Sequence, residues 1–188
     1  MAQNPWSDAW SRVDGWEGIV DLTSVYPWIV LVHVISVLGF LAAHGVSMGV
    51  VFRLRSEREL GRVRALLDLS ASSLGSMYLF VLVVLLSGIV AGIVGGWWTS
   101  GTLWIWASLI LLIAIVVYMS YRASPYFTAL RQAAGLAGNL RGKVIPAGEP
   151  DPTRLETLLA DRGVAWELLV VGAVGLVILT WLMMLKPF

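Results

Sequence analysis

The chain has no cysteine, which excludes disulfides, thiolate metal sites and cysteine nucleophiles. Charge is also scarce. Asp, Glu, Lys and Arg make up 13% of the 188 residues, against roughly 25% in an ordinary soluble domain. Hydrophobic residues reach 58%, so a soluble globular domain is excluded. No hydrolase, phosphate-loop or nucleotide-binding pattern appears, and the glycine-rich stretches lie in apolar runs. No nucleic-acid partner is expected, and a catalytic activity of its own is not indicated. The opening MAQNPWSDAW lacks a basic stretch followed by an apolar run. It does not read as a cleavable signal peptide, and the first apolar helix is expected to direct insertion.

What remains is four long uncharged stretches. Apolar runs at Pro27–Phe52, Leu69–Trp97, Leu103–Tyr121 and Val164–Leu185 are each long enough to cross a bilayer. They predict an all-α polytopic membrane protein, a four-transmembrane-helix bundle, since helices satisfy their backbone in lipid. Residues 27–188 form this domain, with 122–163 as a cytoplasmic segment. Eleven of the 13 basic residues lie between spans one and two or between spans three and four; only Arg12 and Lys186 lie on the other side. By the positive-inside rule both termini are expected outside, in a bacterial inner membrane. Tryptophan is biased the opposite way. Trp6, Trp10, Trp16, Trp28, Trp97, Trp98, Trp104 and Trp181 fall near the outer boundary, as an aromatic belt would, and Trp166 marks the inner one.

Outside the spans, residues 1–26 are expected to be an external interfacial segment. Trp6, Trp10, Val13, Trp16 and Val20 share one helical face, the pattern of an amphipathic helix lying on the surface. Ser124-Pro125 reads as the N-cap and first turn of a new short helix. Residues 135–152 read as a Gly- and Pro-rich loop. Thr153 with Glu156 has capping-box spacing, opening a helix that can run into span four through Gly163. Asp68 and Glu167 lie near Arg64 and Arg162 and read as partners in interfacial salt bridges.

The chemistry concentrates on the chain's two histidines, both in span one. At about 100° and 1.5 Å per residue, His33 and His44 differ by about 20° of azimuth and about 16 Å of depth. They fall on a seam of Val30, His33, Val37, Phe40, His44, Ser47 and Val51. Gly45 and Gly49 form a GxxxG pair on another face. Span two offers Met77, Val81, Val84, Gly88, Ala91 and Gly95, with Gly92 and Gly96 beside them. His44 and Met77 are each eight residues from the inner boundary, so an antiparallel pairing sets His44 against Met77 and His33 against Gly88.

Three readings of the imidazoles follow. The first is b-type haem for transmembrane electron transfer. His33 and His44 are the iron ligands, Met77 is a weaker one, Gly88, Gly92 and Gly95 leave room for a porphyrin, and Arg53 and Arg55 pair with propionates. Two bis-histidine haems need four histidines, so Met77 or a second copy must supply the rest. The second is copper, with His33 or His44, and Met48 four residues after His44 as a soft ligand. The third needs no cofactor. The rings bond across helices to Ser36, Ser47, Ser73, Ser76 or Ser87, and the protein is an accessory or scaffold subunit of a larger membrane complex or a homo-oligomer. Small-solute transport is a fourth class, weakened by the lack of carboxylates deep in the spans.

The segment Leu31–Gly45, LVHVISVLGFLAAHG, with the basic turn and further spans after it, resembles a family of small uncharacterised bacterial four-span proteins. That family is distantly similar to the membrane domain of copper resistance protein D. The likeness rests on Val32-His33-Val34 and covers roughly residues 27–122. A Trp-X-Gly-Gly element often follows that histidine in the copper-related proteins, whereas this chain has Leu38-Gly39-Phe40-Leu41. The resemblance implies a bacterial inner-membrane protein.

Overall fold

The computed structural model describes residues 22–98, 102–140 and 142–187. The tryptophan stripe from Trp6 to Trp16 lies outside them. Among the described residues, α1 spans Leu22–Leu54, α2 Leu60–Val94 and α3 Leu103–Ala133. A two-stranded hairpin follows, β1 Gly138–Leu140 and β2 Lys143–Ile145, then α4 Pro152–Ala160 and α5 Gly163–Leu185. Four helices, α1, α2, α3 and α5, are long and apolar enough to cross a bilayer. The chain is a multi-pass helical membrane protein.

Helices α1 and α2 form an antiparallel hairpin. Trp97 donates to the Tyr26 hydroxyl at 3.4 Å, His33 and Ser87 meet at 3.1 Å, and the Phe80 ring covers Gly39. Lower down, the Ser47 and Ser73 hydroxyls are 3.0 Å apart, and Ser70 donates to Ser47 at 3.3 Å. His33 therefore meets Ser87 and Gly88, as the spacing predicts. The contact stripe differs by one residue from the seam expected on alternate positions. Ser36, Ala43, Val50, Val51 and Leu54 are buried, with His33, Phe40 and Ser47 half-buried between them; Val51 is the one fully buried member of the expected seam. Val37 and His44 thus sit about 100° round from Ser36 and Ala43. Both helical stripes repeat as 3 and 4 residues, so sequence spacing alone cannot choose between them.

Helix α3 packs along α5, where the Ile115 side chain fills the space beside Gly175. The two pairs meet at both ends. At the tryptophan-rich end, Trp104, Ile105 and Leu182 cluster with Trp97 and Trp98. The Lys186 ammonium lies 4.2 Å from the Trp97 ring centre. At the arginine-rich end the helices overrun the hydrocarbon. The 35 residues of α2 extend about 52 Å, against a hydrocarbon core of about 30 Å. The overrun supports the largest core, where Val50, Leu54, Val63, Leu67, Tyr126, Leu130 and Ala133 pack on Leu155 and Leu159 of α4.

This end departs from sequence expectation. Ser124-Pro125 opens no new helix, because α3 continues through Pro125 to Ala133. Burying Tyr126, Leu130 and Ala133 on the continuing face offsets the lost backbone bond. The loop contains the short hairpin, turned at Gly142 (φ +84°), where Asn139 Oδ1 accepts the Gly142 N–H. Thr128 donates to the Asn139 carbonyl at 2.7 Å and pins the hairpin to α3. Asp151, not Thr153, caps α4 by accepting the Arg154 N–H at 2.9 Å, with Pro152 in the first turn. Asp161 is extended and breaks α4 from α5, its carboxylate accepting the Gly163 N–H.

The interfacial carboxylates are paired, but with partners from other helices. Asp68 meets Arg131 at 2.9 Å, and Glu167 is held by Arg122 at 2.5 Å and by the Tyr118 hydroxyl. Arg64 instead donates to the Ala134 carbonyl. In the turn after α1, Glu57 accepts the N–H groups of Arg58 and Glu59, which hold its carboxyl below the usual range.

Candidate functional site

Both imidazoles project from α1 within the span, where a polar ring needs a partner. They reach different neighbours. His33 Nδ1 lies 3.1 Å from Ser87 Oγ. The Ser87 hydroxyl directs its own proton to the Val83 carbonyl, so it accepts from His33. With Nδ1 as the donor, Nε2 carries the lone pair. A Cβ on Gly88 would come within 3.1 Å of His33 Cε1, so the glycine is what lets the ring lie against α2.

His44 stacks on Phe40, with ring centres 5.6 Å apart and planes at 15°. Its Nε2 points at α5, 3.3 Å from where a Cβ on Gly172 would stand. The Met119 methyl of α3 lies 3.7 Å from that same point. The thioether sharing the space of His44 is therefore Met119, whereas the sequence pointed to Met77. Met77 is half-buried on α2, and Met48 is half-buried on α1. Sequence spacing matched the depth of His44 and Met77. The azimuth failed, because the true stripe passes through Ala43 and leaves His44 at the corner where α1, α3 and α5 meet. The Gly172-Gly175 spacing in span four was the available signal for that corner.

The other candidate positions are filled by the chain itself. A Cβ on Gly92 would lie 2.7 Å from Trp98 Nε1 and 2.8 Å from Ile105 Cδ1, and the Trp97 ring covers Gly95. Gly88 is taken by His33. These glycines receive side chains, so within one chain they offer no flat space for a porphyrin. Arg55 donates to the Arg162 carbonyl at 3.4 Å and lies over the Phe52 ring, while Arg53 is exposed. Among the described residues, no group of three or more His, Asp or Glu side chains could hold a metal ion. No family model, curated protein or solved structure matches the chain.

Proposed function

We propose that the protein is a membrane-embedded assembly subunit, joined through one face of α1 to a transmembrane helix of a second copy or of another subunit. The observation that carries this reading is the state of Gly45 and Gly49. Both are exposed, and a Cβ on either would meet nothing within 4 Å. The chain's own packing uses the opposite stripe through Ser36, Ala43 and Val50. A glycine in a helix interior costs about 1 kcal/mol relative to alanine. Two of them one turn apart on an unused face allow close approach of another backbone, which is how helices associate in lipid. Gly45→Leu with Gly49→Leu should leave the fold intact and convert the assembled protein to single chains in mild detergent. Disulfide cross-linking of a Gly49→Cys variant in membranes distinguishes self-association from a different partner. A wild type that is monomeric in membranes, with a Gly49→Cys variant that cross-links to nothing, would overturn the reading.

The arginine-rich end is placed in the cytoplasm and both termini outside the bacterial inner membrane, supported by the 11-to-2 division of basic residues. Reporter fusions at Gly61 and Gly148 should then read cytoplasmic, and an external signal at Gly148 would reverse the placement.

A second reading, b-type haem held between copies for electron transfer, is favoured by His33 alone. Its Nδ1–H is anchored on Ser87, which is the orientation a metal-ligating imidazole takes when Nε2 is the ligand. The visible spectrum of protein expressed with haem precursor decides it. A Soret band that is lost in His33→Ala supports it, and a colourless assembled wild type removes it.

A further inference from the structure

His44 is the one imidazole whose polar atoms lack a use. Among the described residues it makes a ring contact with Phe40 but no hydrogen bond, and it stands about 12 Å inside the arginine-rich boundary. A neutral ring there still carries a donor and a lone pair, and leaving them unmet in hydrocarbon costs free energy. Three helices converge on its Nε2. Helix α1 supplies the ring, α5 supplies a backbone without a side chain at Gly172, and α3 supplies the Met119 thioether beside the same gap. Met48 follows His44 by four residues, about 40° round and one turn nearer the arginine-rich boundary, and is half-buried. The absence of a Cβ at Gly172 is what lets Nε2 and the Met119 side chain approach one another there.

We propose that His44, Met119 and Met48 form an intramembrane site for a soft monovalent cation, Cu(I) or its analogue Ag(I). The ligand set decides the class. One imidazole and two thioethers are all neutral, which suits a soft ion and not Mg, Ca or Mn, which want oxygen. Zinc in a closed structural site takes four ligands, more than this corner supplies. A monovalent ion also carries less charge into the hydrocarbon than a divalent one. The site does not rest on the assembly reading, because Gly45 and Gly49 lie on the open face of α1 and not at the α3–α5 corner.

The test uses the whole chain in detergent, titrated with Ag(I), or with Cu(I) kept reduced, against a competing chelator. The expected result is one ion bound per chain, with absorption-edge spectra showing mixed nitrogen and sulfur coordination. His44→Ala and Met119→Leu should each weaken binding at least tenfold, and Met48→Leu should weaken it less. Met77→Leu, at the same depth on α2, should leave binding unchanged. Met119→Leu nearly conserves volume, so it reports on ligation even if His44→Ala disturbs packing. Thermal melting with and without Ag(I) gives a second readout, with a rise expected in the wild type and none in Met119→Leu. No bound ion, or binding indifferent to His44→Ala and Met119→Leu, overturns the site. Loss in Met77→Leu with retention in Met119→Leu also overturns it. Failure here leaves the oligomeric state of the Gly45/Gly49 variants to be read separately.

Discussion

Leu130→Ala is expected to destabilise the protein by about 2–5 kcal/mol, the range for emptying a buried leucine site. Leu130 is fully buried. It packs among Val50 and Leu54 of α1, Val63 and Leu67 of α2, and Leu155 and Leu159 of α4. Three other helices therefore border the cavity, and none can collapse into it without moving the others. The location raises the effect further. Inside the bilayer, lipid tails are as apolar as leucine, so burying a side chain there gains little hydrophobic free energy. At the arginine-rich end the alternative to burial is water, and the full transfer term applies. The neighbouring Arg131 ties the same helix end to Asp68, to the Leu67 carbonyl and to the Ala137 carbonyl, so loosening Leu130 loosens that clasp too. Denaturant unfolding in micelles measures the loss. Val117→Ala, at an exposed position in the middle of α3, should cost well under 1 kcal/mol beyond its helix-propensity change. Equal losses at Leu130 and Val117 would show that the arginine-rich core is not where stability concentrates.

The contrast between those positions also explains what could be read from sequence. The four spans were legible because uncharged runs of about 20 residues have few other uses. The register of α1 against α2 was legible because a short turn ties the two depths together, and His33 does stand against Gly88. Rotation about the helix axis was not legible. Position 44 and position 43 both satisfy a 3-and-4 spacing, and only the burial of Ala43 and Val50 selects between them. That single step moved His44 from Met77 to Gly172 and Met119. The arginine-rich core was hidden for another reason. Pro125 is a strong local stop signal, yet long-range burial of Tyr126 and Leu130 overrides it. The ion pairs were misassigned because sequence shows neighbours on one helix, while Arg122 and Arg131 reach their carboxylates across helices.

Gly39→Leu tests that rotation and should have the other large effect. A Cβ at position 39 would stand 2.5 Å from the Phe80 ring, closer than carbon atoms pack. Leucine adds three more carbons into the same space. Either Phe80 leaves its place between α1 and α2, or the two helices separate. Overpacking typically costs about 1–3 kcal/mol, and sometimes more; a leucine driven against a ring between two backbones belongs at the upper end, about 3 kcal/mol. The change should propagate along the hairpin. His33 and Ser87 lie toward the tryptophan-rich end, and the Ser47–Ser73 contact toward the other, so both hydrogen-bonded pairs should be disturbed by one substitution. A fall in melting temperature in micelles reports the cost. Adding Phe80→Ala should recover much of it, because it removes the ring the leucine collides with. Gly45→Leu, where nothing lies within 4 Å, should melt as the wild type does when both are compared as single chains. If Gly39→Leu also melts like the wild type, Phe80 does not cover Gly39, and the stripe through Ser36, Ala43 and Val50 is not the face that α1 presents to α2.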